Sequence, residues 1–155
     1  MSPFEIADIA KLEFWIQGLQ FGSVLTLVML FLFQVKHMVM DFFVQNRFPY
    51  MWMNKHLIWH PGGWLHSGTH AVASFGIFAL IHPPTTGAHP WWEIALYLCI
   101  GEFYLHFLID CVKMRIGIWK GWKCNTSPRF WDLLGIDQFL HQVTYLVMIL
   151  VWVVR

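Results

Sequence analysis

The chain has 155 residues, 57% hydrophobic and 18% aromatic but only 12% charged, with a formal net charge of +1. Soluble domains carry about 25% charged residues, so this composition lies outside that class, and the ten Lys and Arg gather into no basic patch of the kind that binds nucleic acid. The length suits one domain, residues 1–155, with room for little beyond a small bundle.

In chain order, Ser2-Pro3-Phe4-Glu5 forms a capping-box pattern with Pro at the first helical position. Ile6, Ile9, Leu12, Ile16 and Leu19 then recur at helical spacing opposite Glu5, Asp8 and Lys11, which predicts an interfacial helix leading into a first span. No basic start and small-residue cleavage site mark a removable signal peptide. Since a helix needs about 20 mostly apolar residues to cross a bilayer, spans are expected at about 18–45, 63–81, 91–113 and 130–154. Residues 51–59 are expected to lie on the membrane surface. Pro61-Gly62-Gly63, the Pro-rich run from His82 to Pro90, and residues 121–128 separate the spans. The expected fold is therefore all-α: a polytopic membrane four-helix bundle with an N-terminal interfacial helix. Cys99, Cys111 and Cys124 have no metal-type or disulfide-framework spacing and read as ordinary thiols.

Lys and Arg are enriched on the cytoplasmic side of membrane proteins. Arg47 and Lys55 follow the first span, and Lys113, Arg115, Lys120, Lys123 and Arg129 cluster after the third, whereas the loop between the second and third has none. Both termini are thus expected to face away from the cytoplasm, in a bacterial inner membrane. Trp52, Trp59, Trp64, Trp119, Trp122 and Trp131 fit an aromatic belt at the inner boundary.

Each span carries a polar pair at i, i+4, so both side chains lie on one helix face: His37/Asp41, His66/His70, His106/Asp110 and Asp137/His141. With alternating helix direction these eight residues fall at one level, within roughly 15 Å of the cytoplasmic face. An Asp in a membrane helix costs about 2.5–3.5 kcal/mol on insertion scales, so the carboxylates must face inward and be compensated. Five imidazoles and three carboxylates suit zinc, manganese or iron, and paired ligands from facing helices can hold two metals. All eight are therefore candidate metal ligands, with Gln45 and Gln138 as hydrogen-bonding supports. Asp41 and Asp137 are candidate bases, and Lys55 and Lys113 could hold an anion. The bland alternatives are interhelical polar packing for the cluster, an interfacial snorkelling role for Lys55, and topology alone for Lys113.

On these residues the chain resembles a known family. The pattern His37-x-x-x-Asp41-Phe42-x-x-Gln45, Lys55, His66-Ser67-x-x-His70, His106-x-x-Ile109-Asp110-x-x-Lys113 and Asp137-Gln138-x-x-His141 is similar to that of small membrane proteins of bacteria and some phages, catalogued as a domain of unknown function. The resemblance covers roughly residues 30–150 and implies a membrane fold but no activity. A looser analogy links the His and His-Ser motifs to membrane-bound metal-dependent hydrolases. His37/Asp41 then His66/His70 is echoed by His106/Asp110 then Asp137/His141, which predicts two pseudo-repeated hairpins.

The leading expectation is a metal-dependent membrane hydrolase acting on a lipid or phosphoester substrate at the cytoplasmic face. The alternative from another class is a non-catalytic subunit of a larger membrane complex, its His/Asp cluster purely structural. A di-iron lipid oxidase, a haem b protein and an ion pathway are weaker alternatives; the last needs polar groups through the whole bilayer, which residues 21–33, 75–81, 94–101 and 146–154 scarcely offer.

Overall fold

The computed structural model describes residues 3–82 and 89–154; between residues 3 and 21 it describes only the side chains of Lys11 and Glu13. The expected capping box beginning at Ser2, the apolar stripe from Ile6 to Leu19 and the centre of the Pro-rich loop fall outside these described parts. The described residues form helices and connections with no strand: α1 (Pro3–Met38), a π-helical turn (Val39–Val44), α2 (Gln45–Arg47), α3 (Pro49–Trp52), α4 (Pro61–Leu80), α5 (Trp91–Lys120) and α6 (Pro128–Val154).

Local chemistry sets the helix ends. Pro61 occupies the first position of α4, and the His60 ring accepts a hydrogen bond from the Gly62 N–H at 3.1 Å. Pro128 stands at the start of α6. α5 stops at Gly121, whose φ of 67° is the left-handed conformation that glycine adopts without strain. The Trp122 N–H then donates to the Gly117 carbonyl at 2.9 Å. The 36 residues of α1 run unbroken, so the expected interfacial segment continues directly into the first span.

Three helical stretches are long and apolar enough to cross a membrane: Gly22–Arg47, Trp91–Lys120 and Pro128–Val154. α4, expected as a fourth, is not among them. The reason is the placement of its polar residues: His66, Ser67, His70 and Ser74 depress its average hydropathy, yet all are buried. Its outward residues Leu65, Val72 and Leu80 are apolar and exposed.

α1 packs against α4 and α6, and α5 packs against α4 and α6, which closes a ring of four long helices. One end of this ring is filled by Met29, Phe33, Ile77, Phe78, Ala95, Cys99, Met148, Ile149 and Trp152. There the Trp152 indole donates to the Ile81 carbonyl at 2.9 Å, using the free carbonyl just past the end of α4. The other end holds the polar residues. Large apolar side chains on the ring's outside, such as Leu27, Phe31, Tyr97, Leu108, Phe139 and Leu150, are more than half exposed, a surface that water would not tolerate on this scale.

The Trp- and Gly-rich stretch 59–64 acquires a role here. A Cβ on Gly62 would lie 1.9 Å from the Tyr50 carbonyl oxygen, and one on Gly63 would lie 3.0 Å from the Phe107 ring. These glycines let the start of α4 press against α3 and α5, while Trp64 stacks on Phe107 with centroids 3.7 Å apart. The connection carrying Lys55 is thereby drawn against the bundle, and Lys55 is buried rather than snorkelling at the surface.

Candidate metal centre

The stripes converge. Asp41, on the π-helical turn after α1, directs Oδ1 to His66 Nε2 and His70 Nε2 of α4, each at 3.1 Å. His66 Nε2 in turn lies 3.1 Å from His106 Nε2 of α5. Four donors from three elements thus face one point, and all lie within 4.8 Å of one another. Tetrahedral zinc with bonds of about 2.0–2.1 Å sets neighbouring donors about 3.3 Å apart, close to the spacing observed. A second group shares His106 and adds Asp110 and His141, with looser separations of 3.6 Å from Asp110 to His106 and 3.9 Å to His141.

Hydrogen bonds fix which nitrogen of the His37 ring carries the proton. His37 Nε2 faces Gln138 Oε1 at 2.9 Å and Asp41 Oδ2 at 3.2 Å; both are acceptors, so this nitrogen is the donor. Gln138 is oriented by its own amide, which donates to Asp137 Oδ2 at 3.1 Å. His37 Nδ1 must then accept from the Tyr145 hydroxyl at 3.0 Å. The Tyr145 oxygen also lies 3.5 Å from His70 Nδ1. His70 Nε2 faces Asp41 Oδ1 at 3.1 Å, a contact that a ring N–H donating to the carboxylate or an ion held between the two would both satisfy.

Charge compensation separates the two groups. Lys55 Nζ donates to Asp110 Oδ2 at 2.5 Å and to Gln45 Oε1 at 2.5 Å. Lys113 Nζ reaches Asp137 Oδ2 at 3.0 Å and Asp110 Oδ1 at 3.3 Å. Lys36 is paired with Glu102 and donates to Ser74 Oγ at 2.9 Å. Among the described residues of this cluster, Asp41 is the one carboxylate with imidazoles but no ammonium beside it. Four further buried atoms, His66 Nδ1, His106 Nδ1, His141 Nε2 and Asp137 Oδ1, have no hydrogen-bond partner. Of these, His141 Nε2 and Asp137 Oδ1 face each other at 3.8 Å, whereas the two Nδ1 atoms are the ring nitrogens opposite those that meet at Asp41.

Each expected site residue can now be placed. Asp41, His66, His70, His106, Asp110 and His141 enter the groups that could hold an ion. His37 and Asp137 stand beside them: His37 orients Asp41, and Asp137 binds Lys113 and lies 3.8 Å from His141. Gln45 accepts from Lys55, and Gln138 Oε1 faces His37 Nε2. The sequence reading passed over Tyr145, Ser74 and the Lys36–Glu102 pair. Their signal is the same spacing continued by one turn: Ser74 follows His70 by four, Tyr145 follows His141 by four, and Glu102 precedes His106 by four.

Comparison with known proteins adds a family and no activity. The model of a family described as "Protein of unknown function (DUF3307)" matches residues 28–155, and the chain belongs to that family. No curated protein and no solved structure matches it.

Proposed function

From membership in a family of unknown function, we propose that this chain is a single-domain, four-helix membrane protein that binds one divalent metal ion and hydrolyses a membrane-borne ester or phosphoester. The observation that carries the metal is the meeting of Asp41 Oδ1 with the Nε2 atoms of His66, His70 and His106 at a carboxylate whose direct ion-pair partners among the described residues are imidazoles. Zinc suits this set best, with manganese and iron as the other borderline ions its nitrogen and oxygen donors accept. The second group favours no second ion, because Lys55 and Lys113 already occupy both oxygens of Asp110.

When bound, such an ion acidifies a coordinated water and polarises the scissile group. The protein's own part is positional. His37 holds Asp41, and the Tyr145 hydroxyl in turn holds His37. His141 Nε2 and Asp137 Oδ1, 3.8 Å apart and both without partners, are spaced to share a water and to receive its proton. Lys113, with 23% of its side chain exposed, is placed to hold an anionic group at the edge of the centre. α4 completes the bundle across the bilayer, since its polar face is buried and its outer face apolar. The positive-inside distribution supports a bacterial inner membrane, with the centre towards the cytoplasm and the termini away from it.

Elemental analysis of the detergent-purified protein tests the reading. About one equivalent of zinc, manganese or iron, lost in His70→Ala, is expected. Folded protein without metal, holding a fixed protein partner, would instead favour the non-catalytic subunit, the cluster then serving as interhelical packing.

A further inference from the structure

Lys113 belongs to two places at once. It pairs with Asp110 and Asp137 at the edge of the centre, and it also lines a cavity of about 450 Å³ between the end of α5 and the start of α6. That volume lies within the range of about 300–1,000 Å³ typical of ligand pockets. Gly117, Trp122, Phe130 and Leu133 form much of its wall, and its two charged lining residues, Lys113 and Lys123, are both cations. A second cavity of about 270 Å³ shares Lys113 and Leu133 and continues between Val112, Ile136 and Leu140 as far as Asp137. The two follow one another along α5 and α6 through their shared Lys113 and Leu133, with Lys123 towards the α5–α6 turn and mostly apolar residues deeper along the helices. The openness near the turn has a local cause: α5 presents no side chain at Gly117, where a Cβ would find nothing closer than 4.0 Å.

We infer that the α5/α6 crevice binds an anionic glycerophospholipid, its phosphate held between Lys113 and Lys123 and one acyl chain lying along Val112, Ile136 and Leu140. Charge complementarity selects the occupant, because an apolar slot with the exposed Lys123 at its wet end, beside a Lys113 that already bridges Asp110 and Asp137, matches a lipid whose headgroup keeps a net negative charge. A zwitterionic lipid gains less there, since its own ammonium meets the same lysines. Lipid binding stands on the crevice alone; its consequence, that headgroup ester bonds are brought to the Lys113–Asp137 edge of the centre, rests on the metal reading above.

Native mass spectrometry of delipidated protein given phosphatidylglycerol, phosphatidylcholine or glycerol phosphate tests this. One phosphatidylglycerol per chain is expected, with phosphatidylcholine bound about fivefold more weakly or worse. Lys123→Gln, at an exposed residue, should weaken phosphatidylglycerol by about fivefold. Gly117→Leu should fill the crevice and remove both lipids. Equal retention of the two lipids, retention unchanged in Gly117→Leu, or glycerol phosphate binding as well as the intact lipid would each overturn the proposal. Metal content measured on the same samples separates the two readings. Lipid bound selectively to metal-free wild-type protein would sink the metal centre and sustain the crevice, whereas metal retained without selective lipid binding would do the reverse.

Discussion

The two ends of the helical ring are held together by different physics. Around Phe33, Phe78, Met148 and Trp152 the helices meet mainly through apolar side chains, with the indole bond to Ile81 beside them. Lipid tails are as apolar as these residues, so burial gains little there, and close packing does the work. Around Asp41, Asp110 and His106 the same helices meet through ion pairs and imidazoles. Leaving such groups unpaired in a medium without water is costly, so each pair fixes which helices face each other and at what depth. The apolar end tolerates approximate shape; the polar end requires each partner. It follows that stability should respond to substitutions at both ends, but metal binding at one only.

The largest loss of stability is expected from Lys55→Ala, which breaks the buried pair with Asp110, leaves that carboxylate to Lys113 alone and should cost about 3–5 kcal/mol, read as a lowered denaturation midpoint in detergent. A smaller effect, about 1–3 kcal/mol, is expected from Gly63→Ala. Its new methyl would meet the Phe107 ring at 3.0 Å and disturb that ring's stack on Trp64, read as a lowered denaturation midpoint in detergent. At the apolar end, Trp152→Phe keeps most of the packing and loses the bond to Ile81. A loss of about 1 kcal/mol with metal content unchanged is expected, and any fall in metal content would contradict the division between the ends. The smallest change should come from removing a charge pair whole. Lys36→Met with Glu102→Leu should be within about 1 kcal/mol of the parent, or more stable, while either single change should be strongly destabilising.

Much of this was legible in the sequence, for a physical reason. Polar residues four apart on a long apolar helix must face inward, so His37/Asp41, His66/His70, His106/Asp110 and Asp137/His141 declared both their faces and their common depth. What the spacing leaves open is which atoms are free to bind. Whether His37 binds an ion or orients Asp41 depends on Gln138 and Tyr145, which belong to another helix. Lys36 reads in sequence as an isolated charge, and only tertiary contact reveals Glu102 and Ser74 opposite it. The π-helical turn that carries Asp41 has no residue signature in Val39–Val44. The roles of Gly62 and Gly63 likewise depend on Tyr50 and Phe107, which approach them only in the fold. α4, expected in sequence as a span, falls short in average hydropathy because its histidines and serines count against it, and only the fold shows that they are buried.

The most direct test of the central claim is the metal content of purified wild-type protein beside Asp41→Ala and Trp152→Phe. About one equivalent of a transition metal in the wild type and in Trp152→Phe, with none in Asp41→Ala, is the predicted result. Folded wild-type protein that holds no metal even when zinc, manganese or iron(II) is supplied, or an Asp41→Ala protein that holds as much as its parent, would contradict it.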